Sequence, residues 1–310
     1  MEELLMISII NVTKKFSSVT ALENISIEIK EKEFFGLLGP NGAGKSTLIN
    51  LLVGYFDVDA GQLLISGEKV GKNNFEVRKK IGLVPQFIAL YEDISAQENL
   101  EIIGSFYNIR KNLLRAIIAE NLNRVQLYER RKDKVKTFSG GMKRRLNIAA
   151  GLLHNPEVLL CDEPTVGVDP QSRNAIFDYL EMLNSEGKTI IYTTHYMEEA
   201  ERLCGRIAII DHGKIITSGS LDKLIQQLPY KQTIHINKNQ ATESKKELFE
   251  KFGAVIDEQD TYELTPFDNI KYSDFFMAIE NNNISYNNID IQKPTLEALF
   301  LHLTGRRLRD

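Results

Sequence analysis

The stretch GPNGAGKST, Gly39-Pro40-Asn41-Gly42-Ala43-Gly44-Lys45-Ser46-Thr47, follows directly on the apolar run Phe34-Phe35-Gly36-Leu37-Leu38. Gly39 and Gly44, followed by Lys45 and Ser46, have the spacing G-x-x-x-x-G-K-[ST] of a phosphate-binding loop. The residue types suit the chemistry. Glycines let backbone N–H groups turn inward and approach phosphate oxygens closely. A helix beginning near Lys45 adds the positive end of its dipole. The Lys45 ammonium reaches β- and γ-phosphates in such loops, and the Ser46 hydroxyl holds Mg²⁺. A glycine-rich turn with a chance lysine is the plainer reading. It fits poorly with a buried strand before the loop and an amphipathic segment, 47–53, after it. The loop alone says nucleotide; kinases, GTPases and motor ATPases all carry one.

Composition narrows the class. The chain has 310 residues, 43% hydrophobic and 26% charged, enough for a sizeable core and more than one domain. A net charge of −4 gives no basic balance for bulk nucleic-acid binding. The two cysteines, Cys161 and Cys204, have no metal-ligand spacing and read as small core residues of a reducing, cytosolic compartment. The start, MEELLMISII, carries two acids in place of the basic opening of a signal peptide. No run approaches the ~20 apolar residues of a membrane-spanning helix. If the protein works at a membrane, another chain must cross it.

Hydrophobic patterning predicts alternating strands at 6–12 and 22–29 and a fully buried strand at 34–38. Strand-like pieces follow at 61–66 and 81–84. Residues 95–125 read as mostly helical, with an apolar stripe through Leu100, Ile103, Phe106 and Tyr107, then Leu113, Ile117 and Leu122. A helix over 140–153 stops at His154-Asn155-Pro156. Buried strands at 158–161, 189–193 and 207–211 alternate with a helix over 171–185 closed by Gly187. Such alternation means a largely parallel sheet with helices on its faces. The texture changes near Ser220. After a linking helix at 221–228, the segments read as strand 231–237, helix 243–252 capped by Gly253, strands 255–257 and 262–264, helix 273–280, strand 287–291 and helix 295–303. This β-α-β-β-α-β order predicts a small α+β domain of split βαβ, ferredoxin-like type.

A second constellation bears on the class. FSGGMKRRLNIAAGLL begins at Phe138, and VLLCDEPTVGVDP begins at Val158. Four apolar residues run into Asp162 and Glu163 at a strand end. An acid there lies beside the phosphate loop and can hold Mg²⁺ through water, and Glu163 is placed to polarise an attacking water. A strand that merely exits into solvated acids is the bland alternative, and it loses ground because the loop and the acid pair occur together.

With both constellations in place, residues 5–220 resemble the nucleotide-binding subunit of ATP-binding cassette (ABC) transporters. The family signature, usually Leu-Ser-Gly-Gly-Gln, stands here as Phe138-Ser139-Gly140-Gly141-Met142, with Phe138 and Met142 as departures. The resemblance implies an α/β P-loop cassette over 1–220: a RecA-like core, an antiparallel β subdomain, and a helical subdomain at about 87–155. Residues 221–310 form the accessory domain. It implies that residues 39–47 cradle ATP and that Phe16, in KKF, stacks on adenine. Gln86, in VPQ, contacts Mg²⁺ and the attacking water, and Ser46 and Asp162 complete the metal site. Glu163 is the general base, and His195, in TTHYMEEA, reads the γ-phosphate beside Lys45. Asp169, in VGVDP, belongs to a loop that crosses between protomers. Ser139, Gly140 and Gly141 cap the γ-phosphate held by a second copy, giving a C₂ ATP-sandwich homodimer.

Taken singly, several of these residues have duller readings: a core phenylalanine, a turn glutamine, an Asp-Pro turn, a structural histidine. Their order along the chain favours the family roles. The segment 86–107 is the expected docking surface for an integral membrane permease. That places the protein peripherally on the cytoplasmic face of the inner (plasma) membrane, with no nucleic-acid partner. SGGMKRRL, PTVGVDP and PTLEALFLHLTGR are similar to bacterial drug-resistance-type and other ABC-2 exporter ATPases. The basic run Lys143-Arg144-Arg145 reads as a solvated helix face, as do Arg306, Arg307 and Arg309. A soluble ABC clamp without a transported solute is the alternative function. A P-loop small-molecule kinase leaves Ser139-Gly140-Gly141 and His195 unexplained.

Overall fold

The computed structural model describes residues 4–229, 232–267 and 270–305. The chain forms two compact units, one running to Leu221 and the other starting at Asp222. The basic residues Arg306, Arg307 and Arg309 lie outside the described residues, as does the first residue of the strand expected at 231–237.

The first unit opens with an antiparallel sheet of β1 (Leu5–Phe16), β2 (Val19–Lys30), β4 (Ala60–Ile65) and β5 (Glu68–Lys69), in the order β2-β1-β4-β5. Both long strands run beyond the expected segments because bulges let the pairing continue. In β1–β2, register shifts fall between Ile9 and Val12 and again near Lys14. A second, mainly parallel sheet holds β3 (Phe34–Leu38), β6 (Ile81–Val84), β7 (Val158–Asp162), β8 (Thr189–Thr194), β9 (Arg206–Asp211) and β10 (Lys214–Gly219). Its order is β10-β9-β3-β8-β7-β6, with only the β10 edge antiparallel. All five residues of β3 and of β7 and all six of β8 are buried. A strand covered by helices on both faces has this continuous apolar sequence. Ile7, Ile25 and Ile65 of the first sheet pack with Phe35, Leu37 and Leu160 of the second in one core. Each such side chain contributes roughly 1.5–3 kcal/mol on burial.

Helices α1 (Lys45–Leu52), α2 (Phe75–Lys79), α3 (Ala96–Ser105), α4 (Lys111–Arg124), α5 (Gly140–Gly151), α6 (Pro170–Ser185) and α7 (Met197–Leu203) complete the unit. The mostly helical segment expected at 95–125 is two helices, α3 and α4. α3 starts on a capping box formed by Ser95 and Glu98, and the chain turns at Asn108, whose φ is 54°. No helix among the described residues is long and apolar enough to cross a membrane.

The linking helix α8 (Leu221–Ile225) is shorter than its pattern suggested. The second unit carries β11 (Thr233–Asn237), α9 (Lys246–Phe249), β12 (Gly253–Asp257), β13 (Thr261–Pro266), α10 (Tyr272–Asn281), β14 (Ile289–Gln292) and α11 (Leu296–Thr304). Its sheet is antiparallel throughout, in the order β12-β13-β11-β14. Ile234, Ile236, Phe249, Tyr262, Leu264, Phe275 and Ile279 form its core. The helix expected at 243–252 shrinks to α9 because Asn239 and Thr242 divert the preceding backbone. Asn239 Oδ1 accepts from the Ala241 N–H, and the Thr242 hydroxyl donates to the Asn237 carbonyl. Gly253 opens β12 instead of capping a helix. A 3₁₀ turn at Tyr286–Asn288 delays β14 to Ile289.

Candidate active site

The loop between β3 and α1 wraps a cavity of about 570 Å³. Asn41, Gly42, Gly44, Lys45, Ser46, Thr47, Gln86 and Glu163 line it, together with Val19, Thr20, Ala21, His212 and Gly213. Gly42 and Gly44 have φ of 79° and 109°, a region that L side chains rarely adopt. Gly44 is the N-cap of α1 and offers no side chain to the first-turn N–H groups. The start of this helix is therefore an uncapped cluster of donors facing the cavity.

Lys45 is 4% exposed. Its ammonium donates to the carbonyls of Gly39 at 2.7 Å and Pro40 at 3.0 Å. It also lies 2.9 Å from Glu163 Oε1, and Glu163 is 5% exposed. The other Glu163 oxygen accepts from Gln86 Nε2 at 3.2 Å and lies 3.3 Å from His195 Nδ1. One buried carboxylate thus joins the phosphate loop, the segment after β6 and the residue after β8.

Thr193 sets this geometry. Its hydroxyl donates to Asp162 Oδ1 at 2.7 Å and accepts from the Glu163 N–H at 3.0 Å. Glu163 itself sits at φ 45°, a left-handed backbone costing about 1–2 kcal/mol for a non-glycine residue. The strand end holds it there despite that cost. Asp162, 7% exposed, is turned to Thr193 and is not among the residues that line the cavity.

The structure does not bring every expected residue to this cavity. Ala43 is buried in the core and supports the loop through its N–H bond to the Pro40 carbonyl. Phe16 is not among the lining residues. Its ring meets Phe56 edge-on, with centroids 5.0 Å apart, while its hairpin partner Val19 lines the cavity.

Ser139, Gly140, Gly141 and Asp169 form a separate cluster, in which Gly141 is buried and the other three are exposed. Ser139 caps α5 by accepting from the Met142 N–H, and Asp169 caps α6 by accepting from the Ser172 N–H at 2.9 Å. That N–H holds the Asp169 carboxyl below the usual range. A Cβ on Gly141 would overlap the Ser172 side chain, so the two helix starts are in close contact.

The run Lys143-Arg144-Arg145 is not a solvated face. Arg144, 4% exposed, donates to the carbonyls of Pro85 at 2.8 Å and Gln86 at 2.7 Å, and burial lowers its pKa. Arg145 donates to the Val125 carbonyl, and Lys143 pairs with Glu92. The guanidinium of Arg144 fixes the backbone of Gln86, a role that charge patterning hid because basic runs usually face water. Thr193, Thr20, His212 and Gly213 also lacked a local signal, since they reach the site through sheet pairing and a distant turn.

A uncapped helix start, a buried lysine, and a carboxylate shared with a glutamine and a histidine define a P-loop nucleotide hydrolase. Comparison with known proteins is more specific. Residues 22–166 match the family model for ABC transporters. The linearmycin resistance ATP-binding protein LnrL of Bacillus subtilis (strain 168) is 42% identical over 97% of this chain and 98% of its own length. The Nod factor export ATP-binding protein I of Rhizobium sp. (strain N33) is 41% identical over 71% of this chain and 73% of its own length. A dimeric structure of the ATP-binding cassette MJ0796, in a post-hydrolysis state bound to ADP and Pi, is 30% identical, with a TM-score of 0.63. It covers 69% of this chain and 98% of that one. The chain belongs to the ABC transporter ATP-binding family, with relatives named for linearmycin resistance and Nod factor export. It binds and hydrolyses ATP.

Proposed function

We propose that the chain powers export through a separate membrane subunit by closing, as a pair, around two ATP molecules and opening when they are hydrolysed. The shared Glu163 carboxylate carries the reading of the chemistry, since it touches Lys45, Gln86 and His195 at once. The triphosphate enters along the α1 N-terminus and competes with Glu163 for the Lys45 ammonium. Freed of that partner, Glu163 accepts the proton of the attacking water, and His195 and Gln86 hold water and γ-phosphate in line. Phe16, across the hairpin from Val19, supplies a ring face for adenine.

The donors fit Mg²⁺ held mainly by phosphates and water. Ser46 and Gln86 line the cavity with neutral oxygens, and Asp162 offers a carboxylate at the end of β7, next to Glu163. Among the described residues there is no group of three or more His, Cys, Asp or Glu that could hold a metal by itself. When bound, the ion neutralises charge developing on the phosphates.

The exposed Ser139 turn and Asp169 make the second half of each nucleotide site, supplied by another copy. Phe87, Tyr91, Ile102 and Phe106 are exposed between 86 and 107. Beside them a cleft of about 270 Å³ is lined by Phe75, Leu83, Phe106 and Tyr107. Arg78 and Lys79 also line it, and a largely apolar cleft of this kind fits a short amphipathic helix of the permease at the cytoplasmic face of the membrane. Arg144 grips the backbone of Pro85 and Gln86, where this segment begins. The unit from Asp222 has the strand order of a ferredoxin-like fold and serves as an accessory domain.

The test is Glu163→Gln. Turnover falls by roughly 10²–10⁴-fold while ATP binding persists. Near-normal turnover removes Glu163 from its role.

A further inference from the structure

Besides Asp162 and Glu163, Glu199 is a buried carboxylate, and the hydrolysis chemistry leaves it without a task. Glu199, on the first turn of α7, is 3% exposed. Three hydroxyl groups donate to it: Thr165 at 2.7 Å to Oε1, and Tyr192 at 2.9 Å and Thr194 at 2.7 Å to Oε2. The Thr165 and Tyr192 hydroxyl oxygens lie 3.1 Å apart, with both protons directed at Glu199. Arg173 of α6 stands 3.8 Å from Oε1, and its guanidinium lies over the Tyr196 ring. Burial pushes the Tyr192 hydroxyl well above its ordinary range, so it stays a neutral donor.

The connections are specific. Thr194 ends β8 and immediately precedes His195. Its hydroxyl donates to Glu199 and accepts from the Tyr196 N–H at 2.9 Å, so both peptide neighbours of His195 are tied to the same carboxylate. Thr165 lies two residues after Glu163, in the turn closed by the Val166 N–H to the Glu163 carbonyl. Glu199 therefore spans the two segments whose separation sets the 3.3 Å contact between His195 and Glu163. Stability alone is a weak reason for it. Burying a carboxylate costs several kcal/mol before its partners offset that cost, and apolar groups of the same volume often stabilise such a corner equally well. What a carboxylate adds is acceptor capacity for three converging hydroxyls with defined directions.

We infer that Glu199 is a positioning residue for hydrolysis, holding His195 at its distance from Glu163 through Thr194 on one side and Thr165 on the other. This rests on the roles proposed for Glu163 and His195. Loss of the link lets His195 drift, and a displacement of order 1 Å at such a site costs up to ~10²-fold in rate. Nucleotide affinity is untouched, because Lys45 and the α1 N-terminus take no part in the link.

The experiment is a double-mutant cycle on the full chain, read as ATPase kcat and KM together with equilibrium ATP binding. Glu199→Ala lowers kcat by about 10-fold or more, with ATP affinity held within about twofold. In a His195→Ala background the same substitution costs less than about twofold more, because the residue it positions is gone. Glu199→Gln recovers most of the rate, since its amide still accepts from Tyr192 and Thr194 and donates to Thr165. If Glu199→Ala does not fold, Thr194→Val takes its place in the cycle. It keeps the side-chain volume and deletes the hydroxyl between Glu199 and His195. Additive losses in the cycle, equal losses of kcat and ATP affinity, or an unchanged kcat overturn the proposal. Glu163→Gln and His195→Ala, measured alongside, keep the two readings apart. If those variants retain turnover the catalytic assignment has failed, and if they lose it while the cycle is additive only the role of Glu199 has.

Discussion

Two turns in the first unit open helices, and they are built differently. The turn 39–47 leaves α1 without a side-chain cap and places a buried lysine beneath its N–H groups, inside a walled cavity. The turn at Ser139 caps its own helix and lies exposed, with Asp169 and the start of α6 beside it. The first has everything needed to hold a polyphosphate by itself. The second has donors and a dipole on an exposed turn, and in the function proposed above another surface closes over it. On the function proposed above, the first turn binds and the second makes the closing contact, so substitutions on each side should fail in different ways.

The largest effect is expected at the carboxylate above the first turn, where Glu163→Gln removes turnover and spares binding, as set out above. Next comes Lys45→Ala. It deletes the ammonium that faces the phosphates, and equilibrium binding should weaken by roughly 10²-fold or more, the scale of a lost charge-assisted contact in a buried site. Binding within a few-fold of the parent would mean that the backbone donors of α1 suffice.

At the second turn, Gly141→Ala drives a methyl into Ser172 and pushes the Ser139 turn away from Asp169. Hydrolysis should fall by ~10-fold, with ATP affinity of the isolated chain unchanged within about twofold. Equal losses of both would erase the distinction between the turns. Titrations at low protein concentration, paired with ATPase assays at high concentration, make this comparison.

The smallest effect concerns His154, where the helical segment meets β6. Its ring stacks on Tyr107, with centroids 3.9 Å apart, and its Nε2–H donates to the Ile81 carbonyl at 2.8 Å. Nδ1 is buried and has no hydrogen-bond partner among the described residues. Burial lowers the imidazole pKa from its ordinary 6.5, with the Ile81 bond acting in the opposite sense. The native chain therefore binds fewer protons than the unfolded chain just below pH 6.5, and stability falls as the pH drops through that range. His154→Phe should flatten that part of the stability profile between pH 7.5 and 5.5 in urea titrations. An unchanged slope would show that His154 does not contribute to it.

Much of this was legible in the sequence for a physical reason. The phosphate loop, the strand ending in Asp162 and Glu163, and the turn at Ser139 each encode their geometry within a dozen residues. The strands β3, β7 and β8 announced themselves as unbroken apolar runs. Features that depend on pairing across the fold were hidden. Arg144 sits in a basic run that looks solvated, yet its guanidinium lies under Gln86. Phe16 matches the expected aromatic, but its ring packs on Phe56, a contact that arises only when β1 and β4 pair. The helix expected at 243–252 had a sound apolar pattern and lost most of its length to an Asn239–Thr242 turn. Side-chain competition for backbone groups is weakly visible in periodicity.

The most direct test of the account is the mass of the Glu163→Gln chain in solution, measured by sedimentation with saturating Mg·ATP and again with ADP. With ATP the account predicts a species of twice 35.3 kDa, and with ADP a single chain. A variant that binds ATP fully and still sediments as one chain would contradict it.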